Sequence, residues 1–137
     1  MNKLTKYFFN IILYTLPLFA WADQYPINKN IDIKHYSFQL RLTDSNDEII
    51  GTTQVTVNFK QAGMQNFRLD LINKSTERKY KGMVVDGVSI ANTTVNYTHE
   101  NDALIISLSK NSVANETIIF TIKYHGIPFD GLRIGAT

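Results

Sequence analysis

The chain has 137 residues, 44% of them apolar and 12% aromatic, with 14 basic against 12 acidic side chains and no cysteine. That is enough chain for one domain with a buried core, and too apolar a chain for a disordered protein. The missing cysteines exclude a disulfide framework, a thiolate zinc site, a thiol nucleophile and a lipidated cysteine anchor.

The N-terminus reads as an address. Lys3 and Lys6 form a positive stretch, and Tyr7 to Phe19 is an apolar run with only Asn10 and Thr15 as polar interruptions. Ala20-Trp21-Ala22 supplies the small-x-small pattern of a signal-peptidase site, with Asp23 opening the mature chain. A run of about 13 apolar residues falls short of the roughly 20 that span hydrocarbon, so no stable membrane anchor is expected. The sequence thus divides into a secretory signal over 1–22 and a domain over 23–137, placed in the periplasm or outside the cell after cleavage between Ala22 and Asp23. Cleavage removes two lysines and leaves 12 basic against 12 acidic residues. A neutral domain carries no field that steers it toward nucleic acid or an anionic membrane.

The mature part reads as strands. Tyr36, Phe38, Leu40 and Leu42 alternate with Ser37, Gln39, Arg41 and Thr43, the period-two pattern of a strand with one face buried. Asp44-Ser45-Asn46-Asp47 is a turn cluster. A second strand points Thr53, Val55, Val57 and Phe59 inward and ends at Gly63. A third carries Phe67, Leu69 and Leu71 inward, with Arg68 and Asp70 outward. Residues 73–81 form a polar loop. Val88 and Ile90 open the next strand, Asn92-Thr93-Thr94 turns it, and Val95 and Tyr97 return. Glu100-Asn101-Asp102 turns again before Leu104, Ile106 and Leu108, and Lys110 to Glu116 is a polar connection. The strongest strand is the last, with Ile118, Phe120, Ile122 and Tyr124 on one face. Short strands separated by turn signals imply an all-β fold, an antiparallel β-sandwich. Phe120, Ile122, Leu40 and Val57 are expected at the centre of its core. Ile127, Phe129, Leu132 and Ile134 are expected beyond the last strand, as an apolar surface left for a partner.

The search for chemistry returns few candidates. His35, His99 and His125 lie on different segments, none of them paired at i, i+2 on a strand or i, i+4 on a helix, so they read as isolated histidines rather than metal ligands. His99-Glu100 opens like H-E-x-x-H, but Ala103 stands at the fifth position and the stretch is a turn. No serine sits in G-x-S-x-G, and no glycine-rich phosphate loop occurs. N-x-[ST] sequons stand at Asn73, Asn92, Asn96 and Asn115, all in loops or on strand edges. No residue is assigned a catalytic, cofactor-binding or metal-binding role.

The segment Tyr124-His125-Gly126-Ile127-Pro128-Phe129-Asp130-Gly131-Leu132 follows the strongest strand directly. It resembles the end of the N-terminal β domain of the aminopeptidase N family of zinc metallopeptidases, where Y-x-G is followed by P-x-D-G-L. Ile33 to Leu40 resembles that family's opening strand, Gly51 to Val57 its second strand, Leu69-Asp70-Leu71 its L-D-L, and Val88 to Leu108 the strand pair that follows. The resemblance covers nearly all of 25–135. The loop over 73–81 departs from it by being longer.

The resemblance implies a saddle-like N-terminal β domain that packs on a catalytic domain and helps shape the cleft for peptide N-termini. In that family, zinc is held by H-E-x-x-H with a distant glutamate, and a G-x-M-E-N strand binds the free amine. Both lie in the catalytic domain and are absent here. Ala62-Gly63-Met64-Gln65-Asn66 lacks the glutamate of that strand. The domain's own pocket-lining polar residue falls beyond the D-G-L segment and past Thr137, so no functional residue carries over. The implied role is that of a non-catalytic domain or fragment of a secreted aminopeptidase, meeting peptides only through the catalytic domain. The alternative is a self-standing secreted sandwich that binds protein or carbohydrate.

Overall fold

The structure is a computed structural model that describes residues 28–43 and 45–130. The leader over 1–22, Asp44, Leu132 and Ile134 lie outside the described residues.

Among the described residues eight strands follow in order: β1 (Ile31–Arg41), β2 (Ile49–Phe59), β3 (Asn66–Asp70), β4 (Gly82–Ile90), β5 (Thr93–Thr94), β6 (Tyr97–Glu100), β7 (Ala103–Ser107) and β8 (Thr117–Ile127). They build a five-stranded sheet in the order β1-β2-β8-β4-β5 and a three-stranded sheet in the order β3-β7-β6. All paired strands are antiparallel. The all-β sandwich expected from the alternation is the fold observed.

Turn chemistry explains the short connections. Ala91 and Asn92 have φ of 46° and 69°, and Asn101 and Asp102 have φ of 49° and 60°. Two consecutive positive φ values make the tight reversal whose twist suits a hairpin, and Asn and Asp tolerate that region best among residues with a Cβ. The 110–116 connection is tied down by Ser112, whose buried hydroxyl donates to the Gln61 carbonyl at 2.7 Å and accepts from the Met64 N–H at 3.0 Å.

The core lies between the two sheets. Val55, Val57 and Phe59 of β2, Phe120 and Ile122 of β8, and Val85 and Val88 of β4 face Phe67, Leu104 and Ile106 of the smaller sheet. The Phe67 ring stands 4.8 Å from Phe120 and 5.6 Å from Phe59, which fixes β3 above β2 and β8. Tyr97 donates its hydroxyl to the Val85 carbonyl at 2.9 Å, placing β6 above β4. A phenol buried this way needs such a partner.

Three expectations need correction. Leu40 is not in the core: it is 50% exposed, because the smaller sheet ends above β2 and leaves β1 uncovered. β4 starts at Gly82 rather than Val88, its register shifting between Val85 and Gly87. Ile127 is not beyond the last strand but closes β8, opposite Gly82. Phe129 does lie beyond it and is 51% exposed.

Candidate docking surface

β1 contributes the main exposed apolar surface. Its register sets Tyr36 beside Val55, Phe38 beside Thr53 and Leu40 beside Gly51. These three therefore point to the same side as the buried residues of β2, since side chains directly opposite each other share a face. Yet Tyr36 is 44% exposed, Phe38 60%, Leu40 50% and Leu42 46%. Lower on the strand, Ile31 and Ile33 are half-buried against the core. The stripe is thus the continuation of the core face past the edge of its cover.

The stripe has internal order. The Tyr36 and Phe38 rings stack with centroids 5.7 Å apart and planes 13° from parallel. Partial burial, with the Asp70 carboxylate nearby, pushes the Tyr36 phenol above its ordinary value. On the adjoining strands the Tyr124 ring lies directly over Gly51, where a Cβ would sit 2.4 Å from it. Its hydroxyl is 3.1 Å from the Thr53 hydroxyl. Tyr124 caps the core on the side of the stripe.

A polar cluster closes the end of the sandwich where β8 ends. Asp102, in the β6–β7 turn, accepts from both terminal guanidinium nitrogens of Arg78 and from the Asn73 N–H at 3.0 Å. The Asn73 side chain accepts from the Asp102 N–H at 2.8 Å. Arg78 also stands 5.5 Å from the Phe129 ring centroid, a cation–π contact that anchors the chain where it leaves β8. This cluster orders the long 73–81 loop. The sequence carries no sign of it, since its members come from three separate connections.

The sequence candidates remain apart. His35 sits on the exposed edge strand, while His99 Nε2 is 2.9 Å from the Leu71 carbonyl oxygen. His125 pairs through Nδ1 with Asp86 at 2.8 Å, on the outer face beside Ile50 and Val84. Among the described residues no three His, Asp or Glu side chains gather as a metal site, so the donor set that a zinc ion needs is not assembled by them. Ala62 to Gln65 is a turn region leading into β3, with Gly63 at φ 84°. Of the sequon asparagines, Asn92, Asn96 and Asn115 are exposed, whereas Asn73 is held by Asp102. An open groove of ≈ 600 Å³ lies at the other end, between Ile90, Leu108 and Ile118, with the Lys110–Glu116 ion pair on its rim.

No protein-family model matches the chain, and no curated protein sequence matches it. Solved structures do. A two-domain M1 zinc metallopeptidase E323A mutant bound to L-tryptophan matches with a TM-score of 0.61 at 19% identity. The M1 zinc metallopeptidase of Deinococcus radiodurans matches with a TM-score of 0.60 at 19% identity, both alone and, as its E323A mutant, with a Tyr-Ser-Ala substrate. Each alignment covers 73% of this chain and 21% of the other, so the chain spans about a fifth of the metallopeptidases it matches. The chain therefore has the fold of the N-terminal β domain of M1 zinc metallopeptidases.

Proposed function

We propose that this chain is a non-catalytic N-terminal domain, or a fragment, of a secreted zinc metalloaminopeptidase. The carrying observation is the unequal coverage: most of this chain aligns with about a fifth of a metallopeptidase. In this role the domain packs on a catalytic domain and helps shape the cleft for peptide N-termini. Zinc and peptide belong to that catalytic domain.

The DNA beyond codon 137 tests the reading most directly. An open or interrupted frame encoding H-E-x-x-H supports it. A terminator followed by an unrelated gene favours a self-standing secreted sandwich that binds protein or carbohydrate.

Two further outcomes are expected. The purified chain should release no amino acid from aminoacyl chromogenic substrates, with or without added zinc, because its sequence has neither H-E-x-x-H to activate water nor the G-x-M-E-N glutamate to bind the free amine. Zinc-dependent turnover that persists through purification to homogeneity would overturn this. In a secreting bacterial host the chain should appear in the periplasm with Asp23 at its N-terminus. An intact mass that includes residues 1–22, found in the membrane fraction, contradicts the proposed cleavage.

A further inference from the structure

Among the described residues, β1 is the long free edge. The other edge strands among the described residues are short: β5 has two residues, β6 four and β3 five, whereas β1 has 11. A free edge presents unpaired N–H and C=O groups to any strand that can reach it, and proteins blunt long edges with charges, prolines or bulges. On β1 those devices crowd the first half. The register breaks between Ile33 and His35, and Lys34 and Lys60 flank Asp32 at 2.6 and 3.3 Å. From Tyr36 to Leu40 there is no charge, no proline and no bulge. That half also carries the exposed apolar stripe.

The half-strand is complementary to itself. We propose that two copies of this chain pair antiparallel along β1, about a two-fold axis at Gln39. An axis perpendicular to the sheet keeps both inner faces on one side, so inward residues meet inward residues. With the axis at Gln39, Phe38 stands opposite the partner's Leu40, and Tyr36 comes level with the partner's Leu42, the residue just past the close of β1. All four apolar positions then meet one another. On the outer face Ser37 meets the partner's Arg41 and Gln39 meets the partner's Gln39, with no like charges opposed. Moving the axis to Phe38 sets Arg41 against the partner's His35, two basic side chains, and moving it to Ser37 sets Leu40 against the partner's Lys34. The bulge ends the pairing on one side and the close of β1 ends it on the other. The product is a continuous ten-stranded sheet. The smaller sheets stay clear of the joint because they sit above β2, β8 and β4. This inference goes beyond the proposed function and does not depend on it.

Charge at the axis gives a test that general stickiness cannot imitate. Gln39 is exposed and faces outward, so Gln39→Lys and Gln39→Glu leave the core untouched, as unchanged circular dichroism should verify. Sedimentation of the purified chain over a range of concentrations should show a monomer–dimer equilibrium. Each variant alone sets two like charges opposite one another and should weaken dimerisation by up to about fivefold. Mixing the Lys and Glu variants should restore it. Phe38→Lys should abolish it. A chain that stays monomeric at every concentration overturns the proposal. So does association that ignores the charge at position 39, which would assign the contact to another surface.

Discussion

Phe120→Ala should lower the stability of the domain by about 3–5 kcal/mol, read as a shift of the denaturant midpoint at constant slope. Phe120 is fully buried in β8, 4.8 Å from the Phe67 ring and 6.5 Å from the Phe59 ring. Removing it deletes apolar burial and leaves a cavity that rings from two different sheets cannot close without moving the backbones that hold them. The loss is a large share of the roughly 5–15 kcal/mol that holds a domain together. Leu40→Ala is the matched control. Its side chain is half exposed, so it should cost less than about 1 kcal/mol, near the range of surface changes. Equal losses at the two positions would mean that Leu40 is covered in solution.

Gly82→Ala is expected to be comparably severe for a different reason. Gly82 opens β4 with φ of 120°, a conformation that residues with a Cβ rarely adopt, and a Cβ there would lie 2.3 Å from the Asn73 carbonyl oxygen. That oxygen belongs to backbone already held through the Met83–Ile72 and Lys74–Met83 hydrogen bonds, so it has no easy way to yield. Backbone strain of this kind costs about 1–3 kcal/mol, and relieving the clash adds to it. The change should also loosen the 73–81 loop, seen as faster amide exchange at Lys74 and Met83. Stability within about 0.5 kcal/mol of the parent would show that the backbone at Gly82 relaxes freely.

Both substitutions separate what the alternation of the chain specifies from what it leaves open. The inward sets Thr53–Val55–Val57–Phe59 and Leu104–Ile106 are buried as the period-two pattern requires, and the Asn101–Asp102 reversal stands where its turn residues place it. The first half of β4 escaped that logic. Gly82, Asp86 and Gly87 dilute its pattern, and its strand character comes from pairing with β8 along Gly82 to Ile90. The return strand misled in another way. Thr93–Thr94 stays with the larger sheet, while Tyr97–Glu100 crosses to the smaller one, and the local sequence has no feature that assigns a strand to a sheet.

The same limit governs the candidate surface. Alternation told correctly that Tyr36, Phe38 and Leu40 share a side, because side-chain direction is a property of the local backbone. It could not tell whether anything lies above that side. Cover depends on where a second sheet ends, and here that is decided by Phe67 packing over Phe59 and Phe120 rather than over β1. The sequence by itself therefore determined which residues share a face along most strands, as at Thr53–Val55–Val57–Phe59, and the reversal at Asn101–Asp102. Only the tertiary structure decided that one apolar stripe is core and the next is surface, because burial is a relation between elements far apart in the chain.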